Sequence, residues 1–76
     1  MKTKFVVCYE MTGEYLSRLN CWTDSIERAH LFGSREDAFV AADCHGYFGA
    51  TNFDVRLVKI ENDKIDIQGR VCRGQD

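Results

Sequence analysis

The chain has 76 residues, a formal net charge of −2, an apolar fraction of 45% and no proline. Its length predicts one domain, 1–76, that buries about 60% of its surface on folding, which leaves little room for an internal pocket of the ~300–1,000 Å³ typical of small-molecule sites. The apolar fraction and the absence of proline favour a folded chain over a disordered one, and the acidic balance argues against a strongly basic nucleic-acid binder.

No targeting signal is visible. The apolar run at residues 5–8 is too short for a signal peptide, and no run approaches the ~20 residues of a membrane span. The four cysteines, at positions 8, 21, 44 and 72, are widely spaced. We therefore expect a cytoplasmic protein with reduced thiols and no membrane contact. An oxidising compartment would instead allow two disulfides in three alternative pairings.

The N-terminal residues predict a β-hairpin. Residues 3–10 are β-branched and aromatic, and the unbroken apolar run 5–8 indicates a strand that is central in the sheet or covered on both faces. A turn at 11–13 leads into a returning strand at 14–19.

The next segment is less regular. Residues 20–25 are polar and turn-rich, with Trp22 as their one bulky apolar side chain. A single Trp in so short a chain is usually part of the core, although Trp22 together with Tyr15 would also make a binding surface. For residues 26–32 we expect mostly irregular structure with a short extended piece at 30–32; the alternative is a short helical turn followed by a short strand.

The clearest local pattern is a helix start at Ser34. Serine followed three positions later by Asp37 has the capping-box form, and acidic residues in the first turn favour a helix through its dipole. The pattern predicts a helix over 35–45. One stripe of this helix carries Ala38, Ala41, Ala42 and His45, with Phe39 beside it. The alanines allow close approach to a sheet, and Phe39 supplies bulk.

Two further strands are predicted after a glycine-punctuated aromatic loop at 46–52. Apolar residues first alternate and then shift register at Val58, which indicates a bulge or a strand covered on opposite faces along its length. A turn at 62–63 leads to a final strand at 64–71. The order β-β-(β)-α-β-β predicts an α+β fold, a mostly antiparallel sheet of four to five strands with one helix packed across one face.

The aromatic loop is the first candidate binding site. Tyr47 and Phe48 lie between two glycines, so exposed rings there would act as anchors for a protein partner. The alternative is that Phe48 and Phe53 close the open end of a small core.

The uneven charge supplies the second candidate. Residues 10–43 hold seven acidic side chains against three arginines, and residues 56–73 hold five basic against three acidic. Ordinary solvated surface is the simplest interpretation. The functional interpretation is an acidic protein-binding face that includes Glu14, Glu36, Asp37 and Asp43. The alternative function is a nucleic-acid-binding regulator whose basic C-terminal hairpin uses Arg56, Lys59, Lys64 and Arg70.

No catalytic residue, metal site or cofactor is predicted. The cysteines and histidines lack zinc-site spacings, and no glycine loop carries the lysine of a P-loop. Carboxylate pairs have capping or solubility roles. We therefore expect a non-enzymatic chain without a small-molecule substrate. Exposed sheet edges and a small core also favour a homodimer.

A central pattern, Tyr15-Leu16, then 22–26, then 29–32, then Ser34 and Ala38, resembles small bacteriophage- or prophage-encoded accessory proteins. The C-terminal half, with a helix, an aromatic loop and a hairpin, is similar in element order and size to small anti-CRISPR proteins. The resemblance implies a mobile-element protein that inhibits a host defence complex by occluding a surface. Its partner would be a host protein or ribonucleoprotein complex, met in the host cytoplasm.

Overall fold

A computed structural model describes residues 2–19, 21–45 and 53–71. Within these ranges five strands and one α-helix form. They are β1 (Lys2–Tyr9), β2 (Glu14–Leu16), β3 (Trp22–Thr23), α1 (Arg35–His45), β4 (Phe53–Glu61) and β5 (Lys64–Arg70), with a 3₁₀ turn at Ile26–Arg28. All pairings are antiparallel and the strand order is β3-β2-β1-β4-β5. The predicted α+β class is confirmed.

Strand β1 is central and covered on both faces. It pairs with β4 along all of its eight residues and with β2 on its other side. Successive side chains point to opposite faces of a strand, yet Val6 and Val7 are both fully buried. Val7 packs under the helix beside Leu16 and Val55, whereas Val6 packs on the opposite face. The prediction from the unbroken apolar run, a central strand covered on both faces, is therefore confirmed.

Helix α1 covers the first of these faces, which we call the helix face. The Ser34 hydroxyl oxygen accepts a hydrogen bond from the backbone N–H of Asp37 at 3.1 Å, so the predicted cap is confirmed. Ala38 and Ala42 are buried against the sheet, while Val40 is 61% exposed on the outer side. The small side chains let the helix backbone approach β1 and β4 closely.

The short helical turn of the alternative prediction for residues 26–32 forms at Ile26–Arg28, but the third strand is not at 30–32. Residues 30–32 form no strand; Phe32 exchanges two backbone hydrogen bonds with Phe5, at 2.7 and 2.9 Å, as an isolated bridge. The third strand lies instead at Trp22–Thr23 and pairs with β2. Trp and Thr both favour strands, but two residues within a polar, turn-rich segment are too few to give a strand pattern. The strand forms because β2 is available beside it as a partner.

The β4–β5 hairpin confirms the predicted shift in apolar register. The pairing of β4 with β5 is irregular between Arg56 and Val58, and Val55 and Val58 are buried in clusters on opposite faces. The hairpin closes at Asn62 and Asp63, whose φ angles of 51° and 65° fit a two-residue type I′ turn.

The opposite face of the sheet, which we call the turn face, is covered by the 3₁₀ turn and the residues around it. Ala29 is buried there with Val6 and Val58, and Ile26 and Leu31 pack around them. In the part of the chain that the structure describes, no helix combines the length and apolarity of a membrane span.

Candidate functional site

Three aromatic rings meet on the helix face at one end of the sheet. Tyr9 ends β1 and lies directly opposite Phe53, the first residue of β4, with ring centroids 5.1 Å apart. Trp22 pairs with Leu16 across β2 and β3, which turns its indole toward the same face. Its ring stacks on Phe53 at a centroid distance of 5.3 Å and an interplanar angle of 4°, and lies 5.5 Å from Tyr9.

These three rings are half-buried, and a fourth side chain, that of Met11, extends their apolar surface into solvent. Trp22 and Phe53 pack against the core from its edge, whereas Met11, in the turn after β1, is 70% exposed. The Tyr9 hydroxyl donates to the Met11 sulfur at 3.7 Å. We call the surface formed by Tyr9, Met11, Trp22 and Phe53 the aromatic end.

Charged side chains border the aromatic end. Asp54 follows Phe53 and accepts hydrogen bonds from Arg56 at 3.5 Å and from Arg70 Nε at 2.9 Å. Arg70 also pairs with Glu10, next to Tyr9. Because neighbouring residues of a strand point to opposite faces, this network lies on the turn face of the same sheet end.

The basic residues predicted to bind nucleic acid are therefore interleaved with acids. Arg56 and Arg70 share Asp54 as a partner, and the Nε of Arg56 is buried without a hydrogen-bond partner among the described residues. The two lysines are exposed, but each lies directly opposite a carboxylate across the hairpin, Lys59 opposite Asp66 and Lys64 opposite Glu61. The hairpin does not present a continuous basic surface.

The acidic candidates do not form one patch either. Glu14 lies opposite Tyr9 at the aromatic end, whereas Glu36 and Asp37 are exposed in the first turn of α1. That turn follows Phe32, whose backbone pairs with Phe5. Phe5 lies four residues before Tyr9, about 13 Å along the strand.

The remaining sequence candidates are divided between the helix and the aromatic loop. Asp43 is exposed near the C-terminal end of α1. Tyr47 and Phe48 lie outside the described residues, in the segment that precedes Phe53.

The candidate binding surface made of Trp22 together with Tyr15 is wrong. Tyr15 lies opposite Cys8 and Thr23 and packs on the turn face with Val6 and Val58. Trp22 is one register position away from Thr23, and this single step places it on the helix face. The true partners of Trp22, Tyr9 and Phe53, were missed because their proximity depends on the order of strands in the sheet.

Cys8 is a buried thiol rather than an activated one. Burial raises its pKa, the Asp54 carboxylate raises it further, and Arg56 only partly opposes them. Burial also raises the pKa of Tyr15, which lies beside it. A protonated, buried thiol is a poor nucleophile. Across the described ranges, no three His, Cys, Asp or Glu residues are grouped as metal ligands.

A surface cavity of about 510 Å³ lies between the β2–β3 hairpin and the 3₁₀ turn. Its lining includes Trp22, Ala29 and Leu31 together with Arg18 and Arg28. The volume falls within the ~300–1,000 Å³ of small-ligand sites. The length of the chain gave no indication of it, because the cavity is open to the surface and is not enclosed by the core.

Comparison of the chain with protein-family models, with curated proteins and with solved structures finds no match. Function is therefore inferred from the chemistry of these surfaces, since a fold by itself does not specify a function.

Proposed function

We propose that the chain is a non-enzymatic protein-binding module whose contact surface is the aromatic end. The observation that supports this most strongly is the grouping of three half-exposed aromatic rings with Met11, which is 70% exposed. Trp and Tyr dominate the binding energy of protein interfaces, and Met is enriched in them because it adapts to different partner shapes.

The surroundings of these rings support the same proposal. Glu10, Asp54 and Arg70 form ion pairs with each other on the turn face of this sheet end, so these charges leave the apolar centre on the helix face uninterrupted. The rings are held by contacts with each other and with the core. Such pre-ordered side chains lose little conformational entropy on binding, so more of the contact energy is available as affinity.

The partner class stays a prediction. The resemblance to phage accessory proteins implies a host defence complex that is inhibited by surface occlusion, encountered in the host cytoplasm. A small rigid surface of this kind is suited to occlusion because it needs no bound cofactor and no catalytic group. The predicted homodimer also stays open, with β3 and β5 as the outer strands of the sheet.

The proposal is tested with two surface variants of equal charge change. Met11→Glu places a carboxylate in the aromatic end, whereas Val40→Glu places one on the outer side of α1, where Val40 is 61% exposed. Tagged protein is incubated with host lysate treated with nuclease, and captured proteins are quantified by mass spectrometry. We expect partners retained by wild type and Val40→Glu to be lost with Met11→Glu. Equal capture by all three proteins would exclude the aromatic end as the contact surface.

Nucleic-acid binding is the alternative, and the pairing of Arg56 and Arg70 with Asp54 weighs against it. Phosphate contacts make binding steeply salt-dependent. We expect no retention on DNA or RNA at ~50 mM salt, where even non-specific phosphate binding is strong. Retention that falls steeply with added salt would favour the alternative.

A further inference from the structure

The cavity beside the β2–β3 hairpin combines an apolar interior with a cationic opening. Its more buried lining residues are Ala29, which is 4% exposed, and the half-buried Leu31 and Trp22. Its exposed lining residues include Arg18 from the hairpin and Arg28 from the 3₁₀ turn. The β2–β3 hairpin and the 3₁₀ turn thus build one concave surface.

The charge of the opening is opposite to that of the whole chain. Two arginines and one carboxylate, Glu27, line the cavity, although the chain carries a formal net charge of −2. Neither Arg18 nor Arg28 forms an ion pair with a described residue. Guanidinium groups bind carboxylate, sulfonate and phosphate oxygens through paired N–H donors, so both side chains have their anion-binding groups available.

We propose that this cavity binds a small amphipathic anion, an aromatic or alkyl body that carries one acidic group. The body packs on Ala29 and Leu31, with Trp22 of the edge strand β3 at the side of the cavity, and the acidic group lies at the opening between Arg18 and Arg28. Known small-molecule sites share this composition, with a mainly apolar lining and a few polar groups that orient the ligand. This site is independent of the proposed protein-binding function, although Trp22 contributes to both surfaces.

The test uses the aryl sulfonate 8-anilinonaphthalene-1-sulfonate as the probe. Trp22 is the only tryptophan of the chain, so its quenching and energy transfer to the bound probe report binding beside it. We expect saturable binding with quenching of Trp22. We expect the uncharged analogue N-phenyl-1-naphthylamine to bind more weakly, because it lacks the acidic group.

Two double variants distinguish sulfonate binding at this cavity from general electrostatic attraction to the protein. Arg18→Gln/Arg28→Gln removes both arginines of the opening, and Lys59→Gln/Lys64→Gln removes two exposed cations of the β4–β5 hairpin with the same change in charge. The first should raise the Kd for the sulfonate by about tenfold or more and leave the Kd for the uncharged analogue unchanged. The second should leave both values unchanged.

Three results would overturn the proposal: no binding to the wild type, equal weakening by both double variants, or unchanged binding in the arginine variant. Met11→Glu provides a further control, since it alters only the aromatic end. If Met11→Glu abolishes sulfonate binding and the arginine variant does not, the probe binds the aromatic end and the cavity is not its site. Near-ultraviolet circular dichroism of each variant verifies that the fold is retained.

Discussion

The indole of Trp22 lies parallel to the ring of Phe53, 5.3 Å between centroids, although β3 and β4 are separated by both β2 and β1 in the sheet. Three strand spacings amount to about 14 Å, so the two side chains reach toward each other over the intervening strands. Tyr9 on β1 lies within 5.5 Å of both rings. The cluster therefore ties the small β2–β3 hairpin to the central strands.

Phe53→Leu should lower the free energy of unfolding by about 1–2 kcal/mol, because it keeps apolar bulk and loses the ring pair. The near-ultraviolet circular dichroism of Trp22 should weaken at the same time. Phe5→Leu is the matched control, since Phe5 also packs against the core and has no ring contact with Trp22. A Trp22 signal that changes equally in both variants would contradict the stacking seen here. Urea unfolding gives the energies.

Asp54 should contribute more to stability than Glu10. The Asp54 side chain is 11% exposed and accepts from two arginines, whereas the Glu10 side chain is 31% exposed and its partner Arg70 is 61% exposed. Asp54→Ala should cost about 1–3 kcal/mol, since it leaves Arg56 without its carboxylate. Glu10→Ala should cost less than about 0.5 kcal/mol and less still in high salt. Equal losses in urea unfolding would show that burial does not separate the two carboxylates.

Ser34→Ala should destabilise the protein by about 1 kcal/mol, because it removes the acceptor for the Asp37 N–H at the start of α1. Ser25 provides an internal control. It precedes the 3₁₀ turn but makes no side-chain cap hydrogen bond, so Ser25→Ala should change stability by only a few tenths of a kcal/mol at most. The difference between the two variants in urea unfolding measures the cap itself.

Asp63→Gly should stabilise the β4–β5 hairpin. Asp63 has a φ of 65°, in the left-handed region that costs residues other than glycine about 1 kcal/mol or more. Glycine loses more conformational entropy on folding, which offsets part of this gain, so we expect a net increase of about 0.5 kcal/mol. Asp66→Gly, in the middle of β5, should instead destabilise. Thermal unfolding of both variants decides whether the turn residue or glycine itself is responsible.

Stability should fall in alkaline solution. The pKa values of Cys8 and Tyr15 are raised in the folded protein, mainly by burial, so the unfolded chain loses these protons first. The stabilisation is complete below the unfolded thiol pKa of about 8.5 and is lost as pH rises through the folded values. Cys8→Ala should remove the part of this decline that begins near the thiol pKa. Urea midpoints measured between pH 7 and 11 would reveal a flat profile if burial had no such effect.

Local sequence patterns were sufficient for elements whose contacts lie within a few residues. Ser34 and Asp37 define the start of α1, and the turn at 62–63 needs only its own backbone angles. The apolar run at 5–8 indicated that β1 is buried on both faces, because the side chains of a strand show by their own polarity which positions are buried. These features, and with them the α+β class, depend on interactions between residues that are close in the chain, so composition and spacing are enough to predict them.

The sequence by itself thus determined one helix, the main strands and the two hairpin turns, while the tertiary structure alone decided which surfaces exist. The third strand at Trp22–Thr23, the stacking of Trp22 on Phe53 and the pairing of Arg70 with Glu10 all depend on strand order and register. A shift of one residue in register moves a side chain to the other face, as Tyr15 and Trp22 illustrate. The aromatic end is built from residues far apart in the chain, and only the folded sheet brings them together. The cavity lies within residues 17–31 and depends on how the β2–β3 hairpin packs against the 3₁₀ turn.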